Sequence, residues 1–239
     1  MGLIKKIKSL IRKTILGYDI STYFFSHSGE DAMLQAIFSK KLASKTGGFF
    51  VDIGAYHPYK ESNTYLFYIN GWRGINIDAR PGSMEAFKKI RPRDINLEIG
   101  IGVKEDILPY YFISDDSSMN SFSKDNLLRL GMYEFVKKEI PIKVLPLNQI
   151  LDKHANSFDT IDLLTIDVEG FDLEVVKSNN WSKYRPKVIV VELYCRTIED
   201  LFTNETANYL RELGYEIVAK NVILRDVASV IFVDHHFEY

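Results

Sequence analysis

The sequence predicts an α/β protein with a doubly wound, mostly parallel β-sheet that closes with a C-terminal antiparallel hairpin. First, short apolar runs that suit buried strands alternate with segments of helical periodicity. Second, two of those runs, 49–53 and 163–166, carry an aspartate at or just after their carboxyl end, where parallel sheets hold ligands. Third, the last two runs, 215–219 and 229–233, leave no room for a helix between them and therefore pair antiparallel.

The individual elements follow from apolar patterning and from the residues that interrupt it. Pro81 precedes a helical pattern, where the first turn of a helix accepts proline. Gly214 follows the last helical pattern, where glycine commonly ends a helix. The predicted strands are 49–53, 74–78, 95–99, 110–113, 140–145, 163–166, 188–192, 215–219 and 229–233, and the predicted helices are 61–69, 83–90, a segment near 126–137, 173–177 and 198–213.

The composition is that of an ordinary globular protein. With 239 residues, 46% apolar and 26% charged, the chain is long enough for one sizeable α/β domain. Its formal net charge of −2 argues against a dedicated nucleic-acid-binding protein, which normally carries a strong basic excess. The single cysteine, Cys195, excludes an internal disulfide, and we expect a cytoplasmic protein.

Residues 1–40 are predicted to form an N-terminal helical extension in front of a main domain at 41–239. Within 3–16 the apolar residues recur at helical spacing, while lysines and arginines cluster on the remaining surface. Such a basic amphipathic helix favours peripheral contact of residues 1–16 with the inner face of an anionic membrane. The alternative is that its apolar stripe packs on the main domain. No apolar run approaches the roughly 20 residues that a bilayer-spanning helix needs.

Three residues at two strand ends indicate a nucleoside-bearing cofactor. Asp52 and Gly54 mark the end of the first predicted strand, and Asp78 ends the second. An acid at the second position is well placed to accept hydrogen bonds from both hydroxyls of a ribose. A nicotinamide dinucleotide would need several glycines to admit its pyrophosphate, and Gly54 has no such companions. The pattern therefore favours a cationic nucleoside without phosphate, and S-adenosylmethionine has these properties.

The order of the motifs resembles the FkbM family of S-adenosylmethionine-dependent methyltransferases. The matching segments are 28–31, 50–78, 144–148, Ile166-Asp167-Val168-Glu169-Gly170 and 188–193. Their joint order over 26–193 is far more specific than any one piece. The resemblance implies the class I methyltransferase fold, which is Rossmann-like, and methylation of a hydroxyl.

The resemblance also implies a set of cofactor-binding residues. Asp52, Gly54 and Ala55 would shape the methionine side of the site, and Asp78 would bind the ribose. Residues after the third strand would lie along the adenine, where Glu98 stands in place of the asparagine common in the family, and two upstream acids would close the site. The full set is Glu30, Asp31, Asp52, Gly54, Ala55, Tyr56, Asp78, Ala79, Glu98, Ile99 and Gly100.

Two further acids are the candidate catalytic residues. An alcohol is a poor nucleophile until its proton is removed, so a base near the methyl group assists transfer. Asp167 and Glu169 follow the strand 163–166, and alternation places them on one side of an extended chain. One acid would act as base while the other orients the acceptor, or both would hold a divalent cation together with the substrate hydroxyl.

Three other side chains complete the predicted site. His57, which with Pro58 replaces a glycine common in the family, is a candidate base because histidine titrates near neutrality. Ser118 and Asn120, in a polar loop, are candidates for binding a polyhydroxylated acceptor. Each acid and the histidine also have a structural interpretation, since a strand-end acid often caps the next helix.

The leading hypothesis is an O-methyltransferase that acts on a hydroxyl of a sugar, a glycan or a small metabolite. A nicotinamide-dependent oxidoreductase on a similar sheet is the enzymatic alternative. The third class is a non-catalytic module that binds a nucleoside. The sequence predicts no nucleic-acid partner, and it leaves the oligomeric state open.

Overall fold

A computed structural model of the protein describes residues 24–155, 158 and 160–239. The predicted amphipathic helix 3–16 lies outside the described residues. Among the helices that are described, none combines the length and the apolar character that crossing a bilayer requires.

A seven-stranded sheet with the strand order β3-β2-β1-β7-β8-β10-β9 forms the centre of the protein. Within this sheet the adjacent strands β3, β2, β1, β7 and β8 run parallel, whereas β10 pairs antiparallel with both β8 and β9. This confirms the predicted doubly wound sheet and its C-terminal hairpin. The strands are β1 (Phe49–Ile53), β2 (Arg73–Asp78), β3 (Ile95–Glu98), β4 (Gly100–Ile101), β5 (Asp106–Phe112), β6 (Lys138–Leu145), β7 (Leu163–Ile166), β8 (Val188–Tyr194), β9 (Tyr215–Leu224) and β10 (Val227–Asp234).

The predicted helices of the main domain are present with different ends, and the helices at 39–44 and 147–154 were not predicted. The helices are α1 (Glu30–Ile37), α2 (Ser39–Ser44), α3 (Tyr65–Ile69), α4 (Met84–Ile90), α5 (Lys124–Arg129), α6 (Leu147–His154), α7 (Asp172–Lys177) and α8 (Glu205–Glu212). The predicted helix 198–213 is divided, because Asn204 accepts a hydrogen bond from the amide of Ala207 and starts α8 anew. The predicted helix near 126–137 stops after α5, where Gly131 has φ +67°.

A second sheet, with the order β4-β6-β5, contains the predicted strands 110–113 and 140–145. Strands β5 and β6 pair antiparallel along most of their length, while β4 pairs parallel with the end of β6. Since β4 follows directly after β3, this small sheet stands beside the carboxyl ends of the central strands.

Apolar cores cover both faces of the central sheet. On one face, Leu34 and Phe38 pack in the same cluster as Phe50 of β1. On the other, alternating β1 residues such as Val51 join a cluster with residues of α6, α7 and α8. Helix α1 therefore packs on one face of the central sheet, and the predicted domain boundary at residue 40 falls within α2.

Candidate active site

The carboxyl ends of β1 and β7 meet where the strand order reverses, which is where sheets of this type hold ligands. Gly54 has φ +81°, and its amide donates to the carbonyl of Ile77 on β2 over 2.9 Å. A Cβ built on Gly54 would lie 1.6 Å from the carbonyl oxygen of Asp167. Only glycine therefore allows the two strand ends to approach this closely.

A narrow slot, which we call the donor slot, opens beside these ends. Its lining residues are Ile53, Gly54, Tyr56, Ile77, Asp78, Ala79, Arg80, Ile99, Gly100, Ile101, Tyr110, Ser117, Ser118, Asn120, Phe122, Asp167, Val168, Glu169 and Phe171. The aliphatic and aromatic side chains of this lining form walls that suit a flat nucleobase. Its acids are Asp78, Asp167 and Glu169. Predicted cofactor residues that line it are Gly54, Tyr56, Asp78, Ala79, Ile99 and Gly100.

Asp78 is the buried acid of the donor slot. One carboxylate oxygen accepts from the amide of Tyr56 and the other from the amide of Arg80, each over 2.8 Å. Burial raises the pKa of Asp78, and these backbone hydrogen bonds oppose the rise. Because each carboxylate oxygen has two lone pairs, Asp78 keeps acceptor capacity for ribose hydroxyls in a fixed position.

A second cavity of about 290 Å³, which we call the acceptor cavity, opens on the other side of Gly54. It shares with the donor slot the residues Gly54, Tyr56, Ser118, Asp167 and Glu169. Its remaining lining is His27, Glu61, Met119, Leu130, Met132, Glu192, Tyr194, Ile223, Leu224 and Val227. A group in the donor slot can therefore meet a group in the acceptor cavity at the shared acids.

Three carboxylates stand at this junction. Oxygens of Asp167, Glu169 and Glu192 all lie within 4.8 Å of one another. Burial raises the pKa of Asp167 to about 7 and that of Glu192 to about 11, and the neighbouring negative charges add to both shifts. The pKa of Glu169 is raised for the same two reasons. Asp167, with a pKa of about 7, can take or give a proton near neutral pH, as a catalytic base must, whereas a pKa of about 11 keeps Glu192 protonated there.

Backbone contacts hold Glu169 in place. Its φ is +55°, and its backbone carbonyl accepts hydrogen bonds from the Ser121 hydroxyl and from the side-chain amide of Asn126, each over 2.8 Å. The Asp172 carboxylate accepts from the amides of Val168 and Gly170 over 3.2 and 3.1 Å. Such strain in a non-glycine residue persists only where its surroundings impose it, often at functional sites.

Asp52, which was predicted to contact the cofactor, lines neither cavity. Its carboxylate accepts from the Thr64 hydroxyl over 2.6 Å. Burial raises its pKa to about 6, and the nearby guanidinium of Arg91, itself paired with Asp94 over 2.8 Å, opposes that rise. Because side chains alternate along a strand, the Asp52 side chain points to the same face of the sheet as Phe50.

Two other predicted cofactor residues also lie outside the donor slot. Ala55 packs with Met84 and Phe87 of α4. Glu98 is exposed at the end of β3 and does not line the slot, although the next residues do. The predicted contact of Glu98 with the adenine therefore stays a prediction that the lining of the slot does not support.

The predicted base His57 lines neither cavity. Its Nδ1 accepts from the amides of Lys60 and Tyr59 over 3.1 and 3.4 Å, so the ring holds a turn. Burial lowers its pKa, and the positive charge of Lys60 adds to the effect. This position favours the structural interpretation of His57, and its role as base stays a prediction that the geometry does not support.

Glu30 and Asp31 organise a segment rather than lining a cavity. Glu30 accepts from the amide of Ser28 over 2.8 Å, and Asp31 accepts from the amide of Phe25 over 2.7 Å. Between these anchors, His27 reaches the acceptor cavity. On the N-terminal side, where Glu30 and Asp31 were predicted to close the site, it is His27 that lines the acceptor cavity, and the two acids hold its segment.

The two predicted acceptor-binding residues have different surroundings. Ser118 is exposed and lines both the donor slot and the acceptor cavity. The Asn120 amide donates to the carbonyls of Ser114 and Ser117 and accepts from the amide of Ile113. Asn120 thus holds the loop that presents Ser118, because its polar atoms already have partners.

Sequence reasoning did not single out Glu192 or Tyr194, which line the acceptor cavity. Glu192 carried a usable signal, because it ends the predicted strand 188–192 just as Asp52 and Asp167 mark their strands. The apolar residues of the acceptor cavity carried no such signal in the sequence, because they come from distant parts of the chain: Leu130, Met132, Ile223, Leu224 and Val227.

The profile of the methyltransferase FkbM domain family matches residues 52–217, which is more than half of the chain. None of the curated proteins matches the chain significantly in sequence.

Similar solved structures are remote in sequence. A TehB-like SAM-dependent methyltransferase from Corynebacterium glutamicum has 11% identity and a TM-score of 0.42, over 96% of each chain. The 1,6-didemethyltoxoflavin-N1-methyltransferase of Burkholderia thailandensis, solved with S-adenosylhomocysteine, has 11% identity and a TM-score of 0.42, over 95% of this chain and 86% of that one. The fibrillarin pre-rRNA processing protein of Methanococcus jannaschii has 13% identity and a TM-score of 0.42, over 86% and 75%.

The family match agrees with the sheet order and the C-terminal hairpin. It replaces the nicotinamide-dependent alternative, whose phosphate-binding glycines the chain lacks. The chain belongs to the FkbM methyltransferase family and is an S-adenosylmethionine-dependent methyltransferase of the class I fold.

Proposed function

We propose that the protein methylates a hydroxyl oxygen of a sugar, a glycan or a small polyhydroxylated metabolite. The observation that carries this proposal is the group of carboxylates at the junction of the donor slot and the acceptor cavity. An alcohol needs a base at the reacting centre, and Asp167 and Glu169 line both cavities.

The donor slot fits S-adenosylmethionine. Asp78 has free acceptor capacity for the ribose, and the walls formed by Ile99, Ile101 and Phe122 suit the adenine. Gly54 leaves the backbone open between the two cavities. The bound donor supplies a methyl group on a sulfonium, whose S–C bond breaks with its electron pair left on sulfur as the new C–O bond forms.

Asp167 is the proposed base. Its carboxylate has no hydrogen-bond or ion-pair partner within the described part of the chain, and its pKa of about 7 matches the task of taking a proton at neutral pH. The hydroxyl proton passes to Asp167 as the oxygen attacks the methyl carbon. Glu169 orients the acceptor from its fixed position in the turn. The alternative kept from the sequence is that both acids act through a divalent cation.

The lining of the acceptor cavity supports a neutral acceptor. Its described residues include Glu61 and the three clustered acids, and none of them is lysine or arginine. Such a surface repels phosphates, so a nucleic acid is a poor fit. Ser118 and the Tyr194 hydroxyl add hydrogen-bonding groups for a polyhydroxylated molecule.

The basic segment 1–16 supports the further proposal of a cytoplasmic enzyme with peripheral contact to an anionic membrane, where a lipid-linked acceptor would be available. Removing residues 1–16 is expected to lower recovery with anionic vesicles while methyl transfer to a soluble acceptor continues. Equal recovery of the full and shortened chains would contradict this localisation.

The function is tested by incubating the protein with methyl-labelled S-adenosylmethionine and a panel of neutral sugars, glycans and matched amino sugars. We expect label on oxygen, identified by mass spectrometry and NMR of the product, and strongly reduced transfer with Asp167→Asn. Label found only on nitrogen would overturn the O-methyl proposal. Binding of S-adenosylhomocysteine without transfer to any acceptor class would favour the non-catalytic module.

A further inference from the structure

The acids of the acceptor cavity come together from two neighbouring strands. The register pairs Ile166 of β7 with Val191 of β8, so Asp167 and Glu192 stand level, one residue beyond that pair. Glu169 joins them through its turn, and carboxylate oxygens of all three lie within 4.8 Å of one another. Three carboxylates at this spacing offer an oxygen donor set of the kind that hard divalent cations take.

Glu192 gives an independent indication of a ligand. Its side chain belongs to β8, outside the motif that contains the other two acids, and the residue is only 7% exposed. It lines the acceptor cavity, and within the described part of the chain it has no hydrogen-bond or ion-pair partner. Buried polar groups normally have a hydrogen-bond partner or a ligand, and the buried carboxyl of Glu192 has neither among the described residues.

Neighbouring groups do not supply that partner. Arg129 is the cation whose charge acts on Glu192, but its guanidinium lies over the ring of Tyr194 at 3.6 Å and donates to Asn126 over 2.8 Å. The Tyr194 hydroxyl is itself buried without a hydrogen-bond partner in the described structure. The cavity thus presents several unpaired oxygens and no counter-charge bound to them.

We propose that Asp167, Glu169 and Glu192 bind one divalent cation of the Mg²⁺ or Mn²⁺ type, and that this ion binds the acceptor through its hydroxyl oxygens. This inference rests on the proposed function and specifies how the acceptor is held. Such ions prefer about six oxygen ligands, so three carboxylates leave positions for two hydroxyls of a sugar-like acceptor and a water.

The ion makes the hydroxyl more acidic, because its positive charge stabilises the alkoxide that remains. The hydroxyl proton passes to the carboxylate oxygen of Asp167 that is not bound to the ion. The alkoxide oxygen then forms its bond to the methyl carbon, and the S–C electron pair stays on sulfur. Each group of the cluster has a defined role, and no oxidant or reductant is needed.

Mn²⁺ binding to the full chain tests this inference. Titration followed by electron paramagnetic resonance, with S-adenosylhomocysteine present, is expected to show one saturable site that Mg²⁺ competes for. Glu192→Gln should weaken Mn²⁺ by about tenfold or more, since even outer partners of metal ligands change affinity by about 10–100-fold. The matched control Glu98→Gln removes an exposed acid outside both cavities and should leave Mn²⁺ affinity unchanged.

Absence of saturable Mn²⁺ binding to the wild-type protein, or equal binding to Glu192→Gln, would overturn the proposal and leave the acids as proton carriers. If Glu192→Gln does not fold, as judged by its melting temperature, Asp167→Asn gives the same test. Calorimetry with S-adenosylhomocysteine alone separates the two proposals. If the protein does not bind S-adenosylhomocysteine, the proposed function is refuted. If it binds S-adenosylhomocysteine but shows no saturable Mn²⁺ site, only the cation proposal is refuted.

Discussion

The ends of β1 and β7 carry the same kind of residue and use it differently. Asp52 of β1 accepts a hydrogen bond from Thr64, lies near the buried Arg91 and lines neither cavity. Asp167, just past β7, lines both cavities and has no side-chain partner among the described residues. The first acid thus bonds to a neighbouring side chain, whereas the second is open to both cavities.

The register of the two strands explains the difference. Asp52 is level with Thr165, inside the sheet, whereas Gly54 comes level with Asp167 beyond the paired residues Ile53 and Ile166. An acid within a paired strand is held on one face, under the helices that cover it. An acid one step past the last pair can turn into the crevice. Position relative to the last residue paired between β1 and β7 therefore distinguishes these two acids.

The largest effect is expected from Asp167→Asn. Loss of a positioned base should lower kcat by about 10²–10⁴-fold. Stability should stay equal or rise, because the change removes an unpaired buried acid. Steady-state rates and a melting curve on the same preparation check both parts. A kcat within threefold of the wild-type value would show that Asp167 is not the base.

Gly54→Ala tests the close approach of the two strand ends. We expect a loss of about 3–5 kcal/mol in unfolding free energy, since strain at φ +81° adds to a clash with the Asp167 carbonyl. Gly29→Ala is the matched control: Gly29 has φ +83° with nothing within 4 Å of a built Cβ, so only about 1–2 kcal/mol is expected. Equal losses in urea unfolding would refute the contact as the cause.

Thr64→Val tests whether the β1 side is structural. The change leaves the Asp52 carboxylate without its hydrogen-bond donor and leaves Arg91 Nη1 with only the longer bond to the Pro58 carbonyl, at a cost of about 1–3 kcal/mol. At saturating donor, kcat should change by less than about threefold, and Thr64→Ser should restore most of the stability. A large fall in kcat without loss of stability would instead link this network to the reaction.

The smallest effect concerns pH. Burial raises the pKa of Asp52 to about 6, from an ordinary value of 3.8. The folded protein therefore holds this proton more tightly than the unfolded chain does, and that contribution to stability is lost as pH rises through about 6. Between about pH 5 and 7 the wild-type protein should lose about 1 kcal/mol relative to Asp52→Asn. A difference in unfolding free energy that stays constant over this range would contradict the raised pKa.

Most of the fold was predictable because apolar periodicity marks buried strands directly, as in 49–53 and 188–192. The donor slot was predictable through Gly54 and Asp78, whose roles depend on a local strand end. The hydrogen bond of Asp52 to Thr64 was not predictable, because a sequence does not show which residue of a strand is the last to pair. The acceptor cavity was the hardest part to predict, since Met132, Ile223, Leu224 and Val227 meet only in the folded protein.

Titration of S-adenosylhomocysteine into the wild-type protein, Asp78→Asn and Asp52→Asn tests the central claim most directly. The claim is that the donor is held by Asp78, with Asp167 rather than Asp52 beside its reacting group. We expect Asp78→Asn to weaken binding by about tenfold or more, the loss of one hydrogen bond to a charged group, and Asp52→Asn to stay within about threefold. Loss of binding in Asp52→Asn with normal binding in Asp78→Asn would contradict the claim.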